Sequence, residues 1–195
     1  MNQTILPSGK TKTWRRRIFT ALALVVIAPL AYFSYLHYSS NLHPIIDGEA
    51  YRSGQMNAGQ LAHTIQSYGV KSIVNLRGTN NAFWPGEMET AAKAGVQHYD
   101  FALSANAEVT LPQMEEIIET LRLAPKPVLI HCQAGADRTG LVSAFYRLTL
   151  KGETPAEADR ELSVWYGHIP LTGTIAMDHS FWSYASNFAA HAASP

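Results

Sequence analysis

A single cysteine, and an arginine six residues after it, are the residues of this chain best suited to chemistry. Cys132 follows an apolar β-branched run and His131, and a short loop containing Gly135 leads on to Arg138. The segment 127–142, PVLIHCQAGADRTGLV, has the pattern of a strand, a tight loop and a helix. A loop that wraps onto a helix N-terminus points successive backbone N–H groups at one spot. It therefore predicts a binding nest for a tetrahedral dianion.

The residue types at these positions fit covalent phosphate chemistry. The planar guanidinium of Arg138 can bind two phosphate oxygens at once, and the same positive field favours the thiolate of Cys132. We expect Cys132 to attack phosphorus and form a phosphocysteine that water then hydrolyses, with Arg138 stabilising the transition state. His131 is expected to order the loop. The residues predicted to hold the substrate phosphate are Gln133, Ala134, Gly135, Ala136 and Thr139.

The segment resembles the signature loop of the cysteine-based protein tyrosine phosphatase superfamily, C-x5-R-[ST]. Its length and α/β pattern are similar to the dual-specificity branch, and the runs YRSGQ at 51–55 and IVNLRG at 73–78 resemble small bacterial members. The resemblance covers residues 45–165. It implies a mostly parallel sheet of four to five strands flanked by helices, and hydrolysis of phosphomonoesters without a metal.

The general acid is the point at which the sequence departs from that family pattern. Family members usually carry an aspartate in the loop before the helix that starts near residue 110, but here 103–108 reads LSANAE. Three carboxylates remain as candidates: Asp137 in the signature loop, Asp100 near the end of a predicted strand, and Glu108. Because a leaving alkoxide or phenoxide needs a proton, we expect one of them within reach of the substrate.

Two arginines upstream are candidates for the rim of the pocket. Arg77 ends a predicted strand, on the side of an α/β sheet where ligands collect, and Arg52 is a weaker candidate for the same place. For each of them, an ion pair with an acidic residue away from the pocket is the alternative. The eight histidines show no H-x-H or H-E-x-x-H spacing, so no metal site is expected. No cofactor is expected either.

The elements that must position these residues alternate in type. Apolar runs at 72–76 and 128–130 predict buried strands, and 97–101 is a weaker strand candidate. Helical spacing, caps and stop signals predict helices at 58–68, 87–94, 110–123, 139–150 and 175–190, and one that opens at 154–155. Strands alternating with helices predict an α/β layer fold.

The charge of the chain is distributed unevenly. The 195 residues carry 15 basic and 15 acidic side chains, and this net charge of zero argues against a free-standing nucleic-acid-binding protein. Residues 1–17 hold five basic residues and no acidic one, so 18–195 hold 10 basic and 15 acidic residues, a net charge of −5. The uncharged run at 18–36 would form a helix of about 28 Å, close to the thickness of a hydrocarbon core.

A basic flank followed by an apolar run predicts a signal-anchor helix. We expect a cytoplasmic flank at 1–17, one transmembrane helix at 18–38 and a phosphatase domain at 39–195. In a bacterium this is a single-pass protein of the inner membrane whose catalytic domain faces the periplasm. A cleaved signal peptide is the alternative, although no small-x-small cleavage site directly follows the apolar run.

The leading interpretation is a membrane-anchored phosphatase for phosphotyrosine or phosphoserine/threonine proteins. A phospholipid phosphatase, for a headgroup like that of phosphatidylglycerophosphate, or a small-molecule phosphatase is the alternative within the superfamily. A rhodanese-like sulfur transferase is disfavoured by Thr139 and the spacing to Gly135. A non-catalytic phosphate-binding module is disfavoured by intact Cys132 and Arg138. The expected partners are therefore a phosphorylated protein or phospholipid and the membrane, with no nucleic acid.

Overall fold

The computed structural model of the chain describes residues 10–171 and 173–192. The chain divides into two units, Met1–Tyr35 and Leu36–Pro195. The predicted basic flank at 1–17 lies largely outside the residues whose side chains are described.

The described residues of the N-terminal unit, 10–35, belong to one long helix. Helix α1 is Lys10–Tyr38, and its segment Arg16–Tyr38 has 23 residues with a mean hydropathy of 2.0. That segment is long and apolar enough to cross a membrane, and a signal sequence can have the same length and composition.

The second unit is built on a five-stranded sheet, which agrees with the four to five strands that the family resemblance implies. The spatial order is β1-β2-β5-β3-β4. Strands β2, β5, β3 and β4 run parallel, and β1 pairs antiparallel with β2 at the edge, so the sheet is mixed. The strands are β1 His43–Ile46, β2 Ala50–Ser53, β3 Ser72–Asn75, β4 Gln97–Asp100 and β5 Val128–His131.

Helices cover both faces of this sheet, because neighbouring residues of a strand point to opposite sides. On β3 and β5, Ile73 and Leu129 pack with α2 and α3, whereas Val74 and Ile130 pack with α4, α5 and α7. Each face therefore has its own apolar core. The helices are α2 Ala58–Tyr68, α3 Trp84–Ala94, α4 Leu111–Leu123, α5 Asp137–Phe145, α6 Pro155–Ala158 and α7 Ile175–Ala192.

The structure differs from the sequence prediction in three places. Strands β1 and β2 were not predicted, because β1 carries Pro44 and β2 carries a charged residue in its interior. Helix α3 begins three residues before the predicted start. The helix predicted over 139–150 ends at Phe145, and Tyr146–Leu150 continue it as a π-helical turn.

Candidate active site

The signature loop, residues 132–139, joins the end of β5 to the first turn of α5. Its neighbours are set by the sheet: His131 lies between Ser53 of β2 and Asn75 of β3 in register. The loop therefore begins at the carboxyl edge of the central strand, where an α/β sheet places its ligand sites. Cys132 itself is only 2% exposed.

The carbonyl groups of this loop are bound by the protein that surrounds it. The Gln133 carbonyl accepts from the backbone N–H of Gln55 at 3.0 Å. The Ala134 carbonyl accepts from the Asn41 side-chain amide at 3.1 Å. The next two carbonyls, of Gly135 and Ala136, accept from Arg52 Nη2 at 2.8 and 3.4 Å, and that of Ala136 also accepts from the backbone N–H of Gly140 at 2.8 Å.

These contacts determine where the backbone N–H groups of the loop point. In a trans peptide unit the C=O and the following N–H point in opposite directions. Since the four carbonyls are drawn outward, the N–H groups of Ala134, Gly135, Ala136 and Asp137 point to the inner side of the loop. Successive N–H groups on one side of a loop form an anion-binding nest. These contacts suit the nest predicted from the sequence, and the binding roles of the loop residues stay predictions.

The tight turn inside the loop requires glycine. Gly135 has φ +73°, in the left-handed region. A Cβ atom there would lie 2.6 Å from the backbone N of Gly54 and 2.7 Å from the carbonyl carbon of Ser53. Both the backbone angle and the close approach to β2 thus exclude a side chain at this position.

Arg52 lies behind the signature loop and pairs with an acidic residue, so of its two expected placements the pocket rim is wrong. Its side chain is fully buried. Nη1 is 2.5 Å from Oε2 of Glu161 and also donates to the Glu161 carbonyl at 2.8 Å. Burial lowers the pKa of the Arg52 guanidinium, and the Glu161 carboxylate acts in the opposite direction. The paired charge is what allows an arginine inside a buried strand, where it supports the loop carbonyls.

Arg138 and Thr139 lie at the base of the same loop. Nη1 of Arg138 donates to the carbonyl of Leu103 at 3.1 Å, and its Nε is buried with no partner among the described residues. A buried donor of this kind is suited to an oxyanion in the nest. The Thr139 hydroxyl is buried and lies 3.4 Å from the Ser53 carbonyl.

His131 is fixed by a buried carboxylate on α3. Oε1 of Glu87 is 2.8 Å from Nε2 of both His131 and His98, and its Oε2 accepts from the Gln55 side-chain amide at 2.7 Å. Burial raises the pKa of Glu87, but the hydrogen bonds from the two histidines outweigh it and hold that pKa far below its ordinary value. The ionised carboxylate therefore orders the residue that precedes Cys132. Sequence reasoning missed Glu87, because nothing in its local pattern marks it.

Arg77 extends this network toward the surface. It follows β3, is partly exposed, and its Nη1 donates to Oε1 of Gln55 at 2.7 Å. Its guanidinium carbon lies 5.7 Å from the centre of the Phe83 ring, which is itself exposed. The binding role predicted for Arg77 stays a prediction.

Two of the three candidate acids are held by other side chains close to the sheet or the loop. Oδ1 of Asp137 is 2.8 Å from Nδ1 of His168, whose Nε2 is 3.0 Å from Oδ2 of Asp178 on α7. Asp100 accepts from the Asn75 amide at 2.7 Å and from the indole N–H of Trp84 at 3.1 Å. Asp137 is the one that lies within the signature loop.

Glu108 is more remote from the buried network than the other two. Its side chain is exposed, and its nearest partner given by the structure is Nδ1 of His179, at 3.3 Å. Glu108 is therefore a weaker candidate for the general acid than Asp137, which is itself a residue of the loop.

His168 is buried between two carboxylates and is expected to contribute stability that depends on pH. Burial lowers its pKa, but the hydrogen bonds to Asp137 and Asp178 outweigh this and raise the pKa above the ordinary value of 6.5. A raised pKa stabilises the fold fully below about pH 6.5, and this stabilisation is lost as the pH rises through the folded-state pKa. His168→Gln should therefore destabilise the protein by about 2 kcal/mol at pH 5.5, and by less at pH 9.

Thermal unfolding across this pH range measures the effect. His63→Gln is the matched control, because His63 is exposed on α2. A stability difference between wild type and His168→Gln that grows toward high pH would contradict the assignment of an imidazolium at this position.

Within the described residues, no group of three or more histidine, cysteine or acidic side chains is arranged to hold a metal ion. Cys132 is the only cysteine of the sequence. The signature loop itself offers a thiol, an arginine and backbone N–H groups.

A mixed α/β sheet that carries a cysteine–arginine loop at its carboxyl edge defines a class of cysteine-dependent phosphatases. The family model described as "DSP-PTPase phosphatase fused to NAD+ Kinase" matches residues 43–171. The chain belongs to this dual-specificity phosphatase family, which confirms the resemblance inferred from the signature loop.

Curated relatives agree with this assignment. The chain is 30% identical, over 104 residues, to the dual specificity protein phosphatase TpbA of Pseudomonas aeruginosa strains UCBPP-PA14 and PAO1. The alignment covers 52% of this chain and 44% of TpbA, so the chain matches less than half the length of these relatives.

Solved structures show the same fold. The crystal structure of P. aeruginosa TpbA has a TM-score of 0.61 at 24% identity, covering 74% of this chain and 85% of TpbA. A cysteine-to-serine variant of TpbA in complex with pTyr has a TM-score of 0.60 at 23% identity, covering 77% and 91%. Tk-PTP in its active form has a TM-score of 0.60 at 20% identity, covering 75% and 97%.

Proposed function

We propose that this protein hydrolyses phosphomonoesters through a phosphocysteine on Cys132, and that its substrates are phosphotyrosine or phosphoserine/threonine proteins. The observation that carries the proposal is the anchoring of four loop carbonyls outward around a buried cysteine. That arrangement aims backbone N–H groups at the space where a phosphate would face the sulfur. The TpbA variant crystallised with pTyr supports the choice of phosphoamino acids.

The proposed reaction has two steps. The Cys132 thiolate attacks phosphorus, forming an S–P bond while the P–O bond to the leaving group breaks and that oxygen takes a proton from the general acid. Water then attacks phosphorus and gives a proton to the same carboxylate, and the S–P bond breaks to release phosphate and the thiolate. Arg138 binds the equatorial oxygens throughout, where charge develops.

Hydrolysis of para-nitrophenyl phosphate by the full-length protein in detergent tests this function. We expect turnover in the presence of EDTA and inhibition by vanadate. Folded protein without turnover would overturn the proposal. A panel of phosphopeptides and phospholipids then distinguishes protein from lipid substrates.

A phospholipid phosphatase is the second candidate function, and one contact favours it. Asn41 lies three residues beyond the apolar span that ends at Tyr38, and its side chain binds the signature loop at Ala134. If the span is an anchor, the loop is held near the lipid headgroups. Against phosphoinositides, the exposed loop positions Gln133 and Ala134 carry no charge.

For the general acid we propose Asp137, with Asp100 as the alternative. Its place in the first turn of α5, next to Arg138, supports Asp137. We expect Asp137→Asn to slow hydrolysis of substrates with poor leaving groups by about 10²-fold or more, and to affect para-nitrophenyl phosphate much less, because only a poor leaving group needs the proton.

The matched variant is Asp100→Asn, compared on the same series of leaving groups. A skew toward poor leaving groups in Asp100→Asn alone would transfer the role to Asp100. A skew in neither variant would contradict both assignments and leave Glu108→Gln as the next test.

We also propose that the protein is a single-pass membrane protein, with a basic flank at 1–17, a signal-anchor helix at 18–38 and the phosphatase domain at 39–195. In a bacterium the domain would lie on the periplasmic side of the inner membrane. The apolar, exposed segment Arg16–Tyr38 supports the anchor. A reporter fused to the C-terminus should report the periplasm, and a cytoplasmic signal would overturn this topology.

A further inference from the structure

Four large apolar side chains of the phosphatase unit are exposed within the short segment 164–171. Val164, Trp165, Ile169 and Leu171 are 52%, 70%, 41% and 65% exposed. We call these four residues the apolar patch. The sequence around them, 162–177, contains no Asp, Glu, Lys or Arg. Runs of exposed large apolar side chains mark surfaces that contact a protein partner or a membrane.

The patch is fastened to the chain just beyond the predicted membrane span. The Asn41 side-chain amide donates to the Tyr166 carbonyl at 2.8 Å, and the His43 and Tyr166 rings lie 5.2 Å apart. Tyr166 is the residue next to Trp165. The patch is therefore held by the residues that follow the span.

The length of the connecting chain limits how far the patch can lie from the membrane. The span ends at Tyr38, and the three residues from there to Asn41 cover at most about 10 Å when fully extended. Adding the Asn41 contact keeps the backbone of Trp165 within roughly 20 Å of the span's end. The polar interface of a bilayer is itself about 5–8 Å deep on each side, so the patch is within reach of it.

The chemistry of the patch fits a lipid interface better than an electrostatic contact. Tryptophan is enriched at membrane interfaces, where its ring is half apolar and half wet. Residues 18–195 carry a net charge of −5, so anionic lipids would not attract this unit by charge. Apolar contact is therefore the interaction that would hold the phosphatase unit at the membrane surface.

We propose that the apolar patch inserts into the interface of the bilayer that holds α1, and so fixes the orientation of the catalytic unit on the membrane. This inference rests on the membrane anchoring put forward under the proposed function. Asn41 binds both Tyr166, which is next to Trp165 of the patch, and Ala134 of the signature loop. Docking therefore also places the active site beside the membrane surface.

Quenching of tryptophan fluorescence by brominated phosphatidylcholine tests the docking. The full-length chain is reconstituted into phosphatidylcholine vesicles in a Trp14→Phe background, because Trp14 lies beside the span and would report it in every variant. We expect Trp165→Phe to abolish most of the bromine-dependent quenching. Trp182→Phe is the matched control: Trp182 is 45% exposed on α7, and its replacement should leave the quenching unchanged.

Each other outcome overturns the docking in a recognisable way. Equal quenching in Trp165→Phe and its parent means that the patch does not touch lipid. If the bromine-dependent quenching of Trp165 disappears when each vesicle holds only one protein chain, the patch contacts a second copy of the protein and not lipid. Release of the chain by an alkaline wash overturns the anchor and the docking together. Hydrolysis of para-nitrophenyl phosphate in the same vesicles reports separately on the catalytic proposal.

Discussion

Cys132→Ser is expected to lower the turnover of para-nitrophenyl phosphate by about 10⁴-fold or more, the scale on which enzymes lose activity when a covalent nucleophile is removed. A serine hydroxyl is a far weaker nucleophile than a thiolate at neutral pH, and the chain holds no second cysteine to replace it. The fold should be unchanged, because serine is close to cysteine in size.

Binding of phosphate should survive the same substitution. The nest is made by backbone N–H groups and Arg138, and the contacts that orient it involve the loop carbonyls and not the sulfur. We expect the Kd of tungstate, measured by calorimetry, to change only a few-fold in Cys132→Ser. Arg138→Lys provides the opposite control: it keeps the thiol and the charge but loses the bidentate fork, so it should weaken tungstate binding. Retained turnover in Cys132→Ser would place the nucleophile elsewhere.

Gly135→Ala is also expected to lower activity strongly, although less than Cys132→Ser does, and it changes no reacting group. The added Cβ would lie 2.6 Å from the Gly54 nitrogen and 2.9 Å from the Ser53 carbonyl oxygen, both rigid backbone atoms of β2 and its continuation. The loop must therefore move away from β2, and a shift of about 1 Å in a positioned group can reduce turnover about 10²-fold. We expect a loss of this size in kcat/KM.

Gly152→Ala separates this effect from simple backbone strain. Gly152 has φ +69°, almost the same as Gly135, but nothing lies within 4 Å of its Cβ position. Alanine there should cost about 1 kcal/mol of stability for the left-handed backbone and leave activity unchanged. Similar activity in the two variants would show that the approach of the loop to β2 is not needed for catalysis.

The local part of the site could be predicted from the sequence. Sixteen consecutive residues predict the strand, loop and helix around Cys132, because an apolar run, a glycine and a helix start are short-range signals. The α/β class followed from the same signals repeated along the chain. The α/β class and the family were confirmed, whereas the number of strands was implied by the family resemblance and not by these local signals.

The supporting side chains could not be predicted, because their partners are far away in sequence. Arg52 and Glu161 are separated by 109 positions, and Glu87 and His131 by 44. A charged residue in the middle of β2 argues against a buried strand until its partner is known. For this reason β2 was not recognised as a strand, and the sequence could not name the acidic residue with which Arg52 pairs.

The outward anchoring of the loop carbonyls bears on how free phosphate affects the rate of the proposed reaction. A nest held in place by protein contacts alone fits inorganic phosphate as well as it fits the phosphoryl group of an ester, because both present the same three oxygens. Contacts that bind the phosphoryl group equally in the substrate and in the transition state do not speed the chemical step, and contacts that bind the product equally well retain it in the site. Such a site is subject to product inhibition, so the flux through it falls as free phosphate accumulates in the compartment that the domain faces.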